Sequence, residues 1–136
     1  MRTLENFING QCRAAADTAR QPDINPADTT EIVAESPRST AADAAAAVKA
    51  AERAYLGWRA TPAPQRGQLL YRVQRRMEAR RDELAEALTR EEGKTLAESK
   101  GEVQRAINVV EFYAGEGRRL LGETIPSELP YNFCYT

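Results

Sequence analysis

Apolar residues recur every three or four positions through the middle of the chain, the spacing of one face of an α-helix. The first such stretch begins after Thr40, and Thr40 and Asp43 have the spacing of a helix-capping pair. Two prolines within residues 61–64 end that helix and open a second, which we expect to run to Glu92. A third begins at Thr95. The pattern therefore predicts a mainly α chain with three long amphipathic helices.

Each predicted helix carries one apolar stripe, and we expect these stripes to hold most of the buried surface. Trp58 closes the first stripe, where we interpret it as a packing anchor rather than a ligand platform. Glycines after the third stripe are expected to loosen and end that helix. The stripes consist of Val48, Ala51, Tyr55 and Trp58 in the first helix, Leu69, Leu70, Val73, Met77, Leu84 and Leu88 in the second, and Val103, Ala106, Ile107, Val110, Tyr113 and Ala114 in the third.

The junction between the second and third helices is a helix stop followed at once by a helix start. Gly93 is the residue type expected just past a helix C-terminus, where Lys94 can approach the exposed carbonyls. Thr95 and Glu98 form a Thr-x-x-Glu capping box for the next helix. A phosphate-binding loop is disfavoured, because it requires a glycine five residues before Gly93 and Leu88 stands there. The two helices are therefore predicted to meet at a tight corner.

The ends of the chain have β rather than helical character. Asn9 and Gly10 are a strong hairpin signal, and residues 31–35 can form a strand, so residues 1–38 are predicted to contain two or three short strands and loops. Aromatic residues alternate through 129–136, a strand pattern with no partner strand after it. Because an unpaired aromatic edge favours aggregation, this segment suggests a truncated chain.

Composition and charge narrow the function classes. The 136 residues have a formal net charge of -1, which gives no overall attraction to nucleic acid or anionic membranes. Histidine is absent, which removes most zinc sites and every histidine-based catalytic dyad or triad. No secretory signal or membrane-spanning apolar run is visible, so we expect a cytoplasmic protein without membrane or nucleic-acid partners.

The remaining candidate groups are better explained by structure than by chemistry. Cys12 and Cys134 have no clear neighbouring base, cation or helix N-terminus that would activate a thiol, apart from Arg13, so we interpret them as surface or half-buried structural thiols rather than nucleophiles. The arginine-rich stretch 72–81 contains Glu78 and is followed by Asp82, Glu83 and Glu86, so its charge is nearly cancelled and it indicates a solvated helix face. We interpret Glu102, four residues after the capping Glu98, as structural rather than as half of an acid/base pair.

Several of these segments, in this order and spacing, resemble the N-terminal portion of the NAD(P)-dependent aldehyde dehydrogenase superfamily. They include Phe-Ile-Asn-Gly (7–10), Ile-Asn-Pro-Ala (24–27), Glu-Ile-Val (31–33), an alanine-rich helix ending in Trp (44–58), Gln-Arg (65–66), Glu-Glu-Gly-Lys-Thr (91–95), Phe-Tyr-Ala-Gly (112–115) and Gly-Glu-Thr-Ile-Pro (122–126). The closing stretch 124–136 also resembles bacterial enzymes that act on semialdehydes such as 2-oxoglutarate semialdehyde.

The resemblance implies three parts and an enzyme whose chemistry lies elsewhere. It divides the chain into a hairpin and loop arm (1–39), helices that flank a cofactor-binding domain outside this chain (40–122), and the start of an oligomerisation strand (123–136). The family oxidises aldehydes to carboxylic acids with a cysteine thiolate, a carboxylate that activates water, and NAD or NADP. No catalytic or cofactor-binding residue of that scheme is carried by this sequence, so the chain alone is expected to be inactive and to bind no cofactor.

The resemblance also implies a cation site and a set of partners. Some members hold a structural cation through backbone carbonyls near the Asn-Pro turn, here Asp23 and Ile24, and through an acidic side chain, here Glu91. With its other ligands outside the chain, this site should bind metal poorly. The expected partners are the rest of the subunit or another copy in a homo-oligomer. An alternative is a freestanding helical module that binds a partner protein.

Overall fold

The structure is a computed structural model that describes residues 2–136 and confirms a mainly α chain with short strands. Four helices account for most of the ordered backbone, and the strands are two to six residues long. In chain order the elements are β1 (Arg2–Thr3), β2 (Asn6–Ile8), β3 (Gln11–Arg13), β4 (Arg20–Ile24), β5 (Ile32–Pro37), α1 (Ala41–Ala60), α2 (Ala63–Ala79), α3 (Arg81–Glu92), α4 (Leu96–Glu116), β6 (Thr124–Ile125) and β7 (Cys134–Tyr135).

The arm before α1 contains five short strands rather than the two or three expected. β2 and β3 form the predicted hairpin, with Asn9 and Gly10 both in the left-handed region at φ 54° and 76°. β5 lies at the centre of a small sheet, parallel to β1 and antiparallel to β4. β1 was missed because two residues are too short to show an alternating pattern.

α1 begins at the predicted cap and then carries its apolar stripe into solvent. The Thr40 hydroxyl accepts a hydrogen bond from the Asp43 backbone amide, and the Asp43 carboxylate accepts one from the Thr40 amide. The helix contacts the arm chiefly at β2, and its only buried residue is Ala50. Val48, Ala51, Tyr55 and Trp58 are all exposed or half-exposed. Within residues 2–136, no element covers this stripe.

The second predicted helix is two helices, α2 and α3, separated at Arg80. That residue leaves helical geometry at φ -114° and ψ 19°, and its backbone amide bonds to the Met77 carbonyl. Its guanidinium forms an ion pair with Glu83 at 2.5 Å. Both α2 and α3 pack against α4, so the break lets each follow α4 separately. Neither proline nor glycine marks the position, which is why the apolar pattern did not reveal it.

The core lies where α3 crosses α4, and it is small. Ala85, Val103 and Ile107 are buried there, with Met77, Leu84 and Leu88 partly buried against them. At the other end of α4, Gly67 of α2 approaches so closely that a Cβ would lie 2.4 Å from the Ala114 carbonyl oxygen. In addition to the whole stripe of α1, the expected burial was wrong at four positions of the second and third stripes that are exposed, namely Leu70, Val73, Ala106 and Tyr113.

The last segment is a hairpin rather than an unpartnered strand. β6 pairs antiparallel with β7, and the Thr136 backbone amide donates to the Glu123 carbonyl at 3.0 Å. The expectation of a strand with no partner was therefore wrong, because the partner precedes it in sequence. Its aromatic side chains are exposed all the same, with Tyr131 at 96%. No helix among the described residues is both long and apolar enough to span a bilayer.

Candidate functional site

The corner between α3 and α4 is where the arm joins the helices. Gly93 caps α3 in the left-handed conformation at φ 73°, as predicted. A Cβ at this position would lie 2.7 Å from Pro26 Cγ and 3.0 Å from the Ala27 backbone nitrogen. Glycine is therefore required twice, by the backbone conformation and by the close approach of the Asn-Pro turn. We call this contact between residues 25–31 and the α3–α4 corner the turn–corner junction.

A hydrogen-bonded network of three side chains closes the junction. Asn25 is buried and donates from Nδ2 to Glu31 Oε2 at 2.7 Å, while its Oδ1 accepts from the Ala27 amide at 2.9 Å. Arg90 at the end of α3 donates from Nε to Glu31 Oε1 at 2.8 Å. The hydrogen bond from Asn25 and then that from Arg90 hold the pKa of Glu31 below its ordinary value. The sequence did not reveal this network, because its partners lie 59 residues apart.

The other side of the corner is held by Lys94. Its ammonium contacts Glu92 at 2.5 Å and also pairs with Glu102 of α4. The hydrogen bond to Glu102, followed by that to Glu92, raises the pKa of Lys94. Lys94 thus acts through two carboxylates rather than through the helix carbonyls expected from its position. The predicted capping box is present, since the Thr95 hydroxyl accepts from the Glu98 amide at 3.3 Å.

The residues proposed for a cation are only partly brought together. Asp23 and Glu91 line one cavity of about 370 Å³ between the arm and α3, but Ile24 is not among its lining residues. Arg2 and Arg90 line the same cavity, so it carries charges of both signs. Across residues 2–136, no group of three acidic, cysteine or histidine side chains has metal-binding geometry.

The thiols and the aromatic anchor lie at the surface. Cys12 on β3 and Cys134 on β7 are both exposed. Trp58 is 49% exposed, with the Arg66 guanidinium 6.0 Å from its ring centroid. It lines a mostly apolar groove of about 240 Å³ between the ends of α1, α2 and α4, which Leu70 and Leu120 also line. For Trp58 to be the packing anchor expected from the sequence, a neighbour outside the described residues would have to cover it.

α4 has a second groove on its outward side. This groove, about 460 Å³ in volume, is lined by residues of α4 alone. Its wall includes Phe112, whose ring meets that of Tyr113 edge-on at 5.4 Å. The lining residues are Gly101, Gln104, Arg105, Asn108, Val109, Phe112 and Tyr113. Together with α1 and the final hairpin, α4 leaves much of the apolar surface of the chain uncovered.

The family model described as "Aldehyde dehydrogenase family" matches residues 13–136. The chain belongs to the aldehyde dehydrogenase family. It is 45% identical over 92% of its length to alpha-ketoglutaric semialdehyde dehydrogenase of Bacillus subtilis, covering 26% of that enzyme. It is 43% identical over 90% of its length to malonate-semialdehyde dehydrogenase of Bacillus pumilus, covering 25% of it.

Solved structures agree with the sequence comparison. An NAD-dependent benzaldehyde dehydrogenase from Corynebacterium glutamicum matches 93% of this chain at a TM-score of 0.84 and 33% identity, and 27% of the matched chain is covered. This chain corresponds to the N-terminal portion of such enzymes and spans about a quarter of the length of the curated relatives. The uncovered faces of α1 and α4 are therefore faces of a part of a larger fold.

Proposed function

We propose that this chain serves as the N-terminal scaffold of an NAD(P)-dependent aldehyde dehydrogenase. The proposed reaction of the complete enzyme oxidises an aldehyde to a carboxylic acid. A hydride, which carries the electron pair, passes from the aldehyde carbon to NAD(P)⁺, water supplies the second carboxylate oxygen, and protons are released to solvent. The observation that carries this proposal is family membership combined with broad apolar faces on α1 and α4 that nothing in residues 2–136 covers.

The role we assign to this chain is positional rather than chemical. The described strands form no βαβ unit with a glycine-rich turn, and Gly93 in its Gly-Lys-Thr sequence is a helix cap against Pro26. These residues do not fit a dinucleotide, so the nicotinamide cofactor and the reacting groups are assigned to the remainder of the enzyme. The helices of 40–122 would pack outside the cofactor-binding domain, the arm of 1–39 would lie along the subunit, and 123–136 would begin the oligomerisation element.

For the substrate we propose a semialdehyde that carries a carboxylate at its far end. The names of the alpha-ketoglutaric and malonate-semialdehyde enzymes support this class, and so does the resemblance of residues 124–136. We further propose a homo-oligomer in the cytoplasm. We also propose a cation site at Asp23, Ile24 and Glu91. Because the cavity that Asp23 and Glu91 line carries charges of both signs, we expect it to hold an ion only weakly.

The test compares the chain with the complete enzyme. The reading frame that contains residues 1–136 is expressed with all of its downstream sequence, and NAD(P)H formation is followed with malonate semialdehyde, 2-oxoglutarate semialdehyde and neutral aldehydes. We expect turnover by the complete enzyme and none by purified residues 1–136. Sustained turnover by the isolated chain would place the chemistry within it and refute the scaffold role. Failure of the complete enzyme to oxidise any of these aldehydes would refute the proposed activity.

A further inference from the structure

The outward face of α2 differs from the uncovered faces of α1 and α4 because it is positively charged. Gly67 packs this helix against α4, and Arg72 lies about 140° around the helix from Gly67. A pocket of about 430 Å³ opens on the outward face, and we call it the α2 pocket. Its lining residues are Gln68, Tyr71, Arg72 and Arg75, whose helical spacing places them on neighbouring points of one surface.

The two arginines of the α2 pocket have no acidic partner among the described residues. Three and four positions from Arg72 along the helix stand glutamine, leucine and two arginines, so no ion pair within the helix is open to it. Arg75 has one acidic neighbour at that spacing, Glu78, whose carboxylate accepts a hydrogen bond from the Gln74 amide at 3.3 Å. The cations that do form ion pairs within residues 2–136 are Arg80, Arg90, Lys94, Lys100 and Arg119.

The break at Arg80 separates charges that nearly cancel along the sequence. Most of the balancing acidic residues, namely Asp82, Glu83 and Glu86, lie on α3, after the break. Glu83 pairs with Arg80 and Asp82 pairs with a lysine of α4, so two of these carboxylates already serve other cations. Arg76, which is also exposed, adds a further positive charge beside the α2 pocket. The charge therefore cancels as a count, while the outward face of α2 stays cationic.

All four side chains that line the α2 pocket can donate hydrogen bonds. Arginine presents several N–H donors in a planar fork, and glutamine and tyrosine add an amide and a hydroxyl group. Elsewhere in the chain, Arg13, Arg20 and Arg81 donate to nearby oxygen atoms. The four lining side chains form no such bond within residues 2–136. A small anion with several acceptor oxygens would match both the charge and the free donors of the pocket.

We propose that the α2 pocket binds a small phosphate monoester, with Arg72 and Arg75 holding the phosphate group. A monoester carries a charge of about −1.5 to −2 near pH 7, which two guanidinium groups balance. Each guanidinium can bind phosphate through two parallel hydrogen bonds. Tyr71 is 38% exposed, and its hydroxyl would donate to a remaining phosphate oxygen. Binding of this kind involves no aldehyde and does not rest on the proposed function.

The competing occupant of the α2 pocket is a protein surface from the remainder of the subunit or from another copy. Such a surface would have to remove water from several arginines, which is costly even when carboxylates replace the water. The exposed apolar residues of α1 and α4 are better suited to protein packing, because their burial is favourable without any charged partner. We therefore expect the α2 pocket to stay open to solvent in the complete protein.

The experiment measures the binding of phenyl phosphate to the complete protein by isothermal titration calorimetry. Arg72→Met and Arg75→Met should each weaken binding about 10-fold, the effect of losing one charge-assisted hydrogen bond at an exposed site. Tyr71→Phe should weaken it about 3-fold, because one neutral hydrogen bond is lost. Arg53→Met removes an exposed arginine of α1 and is the control, which should leave binding unchanged.

Two other anions identify the chemical class of the ligand. Malonate should bind less tightly than phenyl phosphate, because its charges are divided between two separate groups; equal or tighter malonate binding would overturn the phosphate assignment. Vesicles that contain phosphatidic acid present a phosphate monoester on a lipid surface. Because the net charge of the chain is -1, we expect no co-sedimentation with them. Co-sedimentation that Arg72→Met abolishes would assign the pocket to a lipid headgroup and overturn the small-molecule proposal.

Arginine modification gives a readout that needs no variant. Phenylglyoxal reacts with accessible arginine side chains, and the modified positions are located by peptide mass spectrometry. Phenyl phosphate should slow the modification of Arg72 and Arg75 but not that of Arg53. Equal protection of all three, no protection, or equal binding of phenyl phosphate by wild type and Arg72→Met would overturn the site. Failure of the complete protein to oxidise aldehydes would leave these binding results unaffected.

Discussion

Replacing Gly93 with alanine should disrupt the turn–corner junction through two separable effects. The first is backbone strain, because φ 73° costs an L-residue about 1–2 kcal/mol. The second is crowding, because the new Cβ would lie 2.7 Å from the Pro26 ring and 3.0 Å from the Ala27 backbone nitrogen. Relieving such contacts in a packed site costs about 1–3 kcal/mol. The free energy of unfolding should therefore fall by about 2–5 kcal/mol, which is large against the ~5–15 kcal/mol of a typical domain.

Two other glycines separate these effects in the same assay. Gly10 has φ 76° with nothing within 4 Å of the position that an added Cβ would occupy, so Gly10→Ala tests strain alone and should lose about 1–2 kcal/mol. Gly57 lies within α1, also in open space, and Gly57→Ala should gain up to about 1 kcal/mol from helix propensity. Urea denaturation followed by the helical circular dichroism signal gives all three values. A loss for Gly93→Ala no greater than that for Gly10→Ala would refute the close approach of the Asn-Pro turn.

Three further predictions concern the same corner. Thr95→Ala should lower the free energy of unfolding, measured by urea denaturation, by about 1 kcal/mol because the α4 cap is lost. Thr29→Ala in the exposed turn is the control and should change this free energy little. Equal losses in the two variants would contradict the capping role. Because its folded pKa is lowered, Glu31 should stabilise the fold above its ordinary pKa of 4.5, and this stability should be lost as pH falls through the folded value. Glu31→Gln should therefore weaken the fall of the melting temperature at acid pH, and an unchanged fall would count against the network. For the isolated chain, EDTA or added Mg²⁺ should leave the melting temperature of wild type and Glu91→Gln equally unmoved, and a clear Mg²⁺-dependent rise in wild type alone would show that the chain binds the ion tightly by itself.

The features that sequence predicted well depend on neighbouring residues. The caps at Thr40 and Thr95, the left-handed Gly93 and the Asn9-Gly10 turn are each fixed by contacts within about four residues, and all four are present. The break at Arg80 was missed because it depends on how α2 and α3 pack against α4 rather than on a local signal.

Burial and long-range contacts were harder to predict. A stripe such as that of α1 shows that a face is apolar but not whether another element within the chain covers it, and here none of the described residues does. The ion pair of Arg90 in the turn–corner junction has no local sequence signal, because its partner Glu31 lies 59 residues earlier. Of the three residues that the resemblance assigned to a cation, Asp23 and Glu91 line one cavity, whereas Ile24 is not among the residues that line it.

The span of the turn–corner junction has a consequence for the order of folding. The contact between Glu31 and Arg90 closes a loop of 59 residues, whereas α3 and α4 meet across a three-residue turn. Loop closure is entropically more costly over the longer separation, so local contacts tend to form early and distant ones late. We therefore expect the α3–α4 hairpin to nucleate the structure and the arm to dock last, which would also make the arm the first part to be released when the chain is partly denatured.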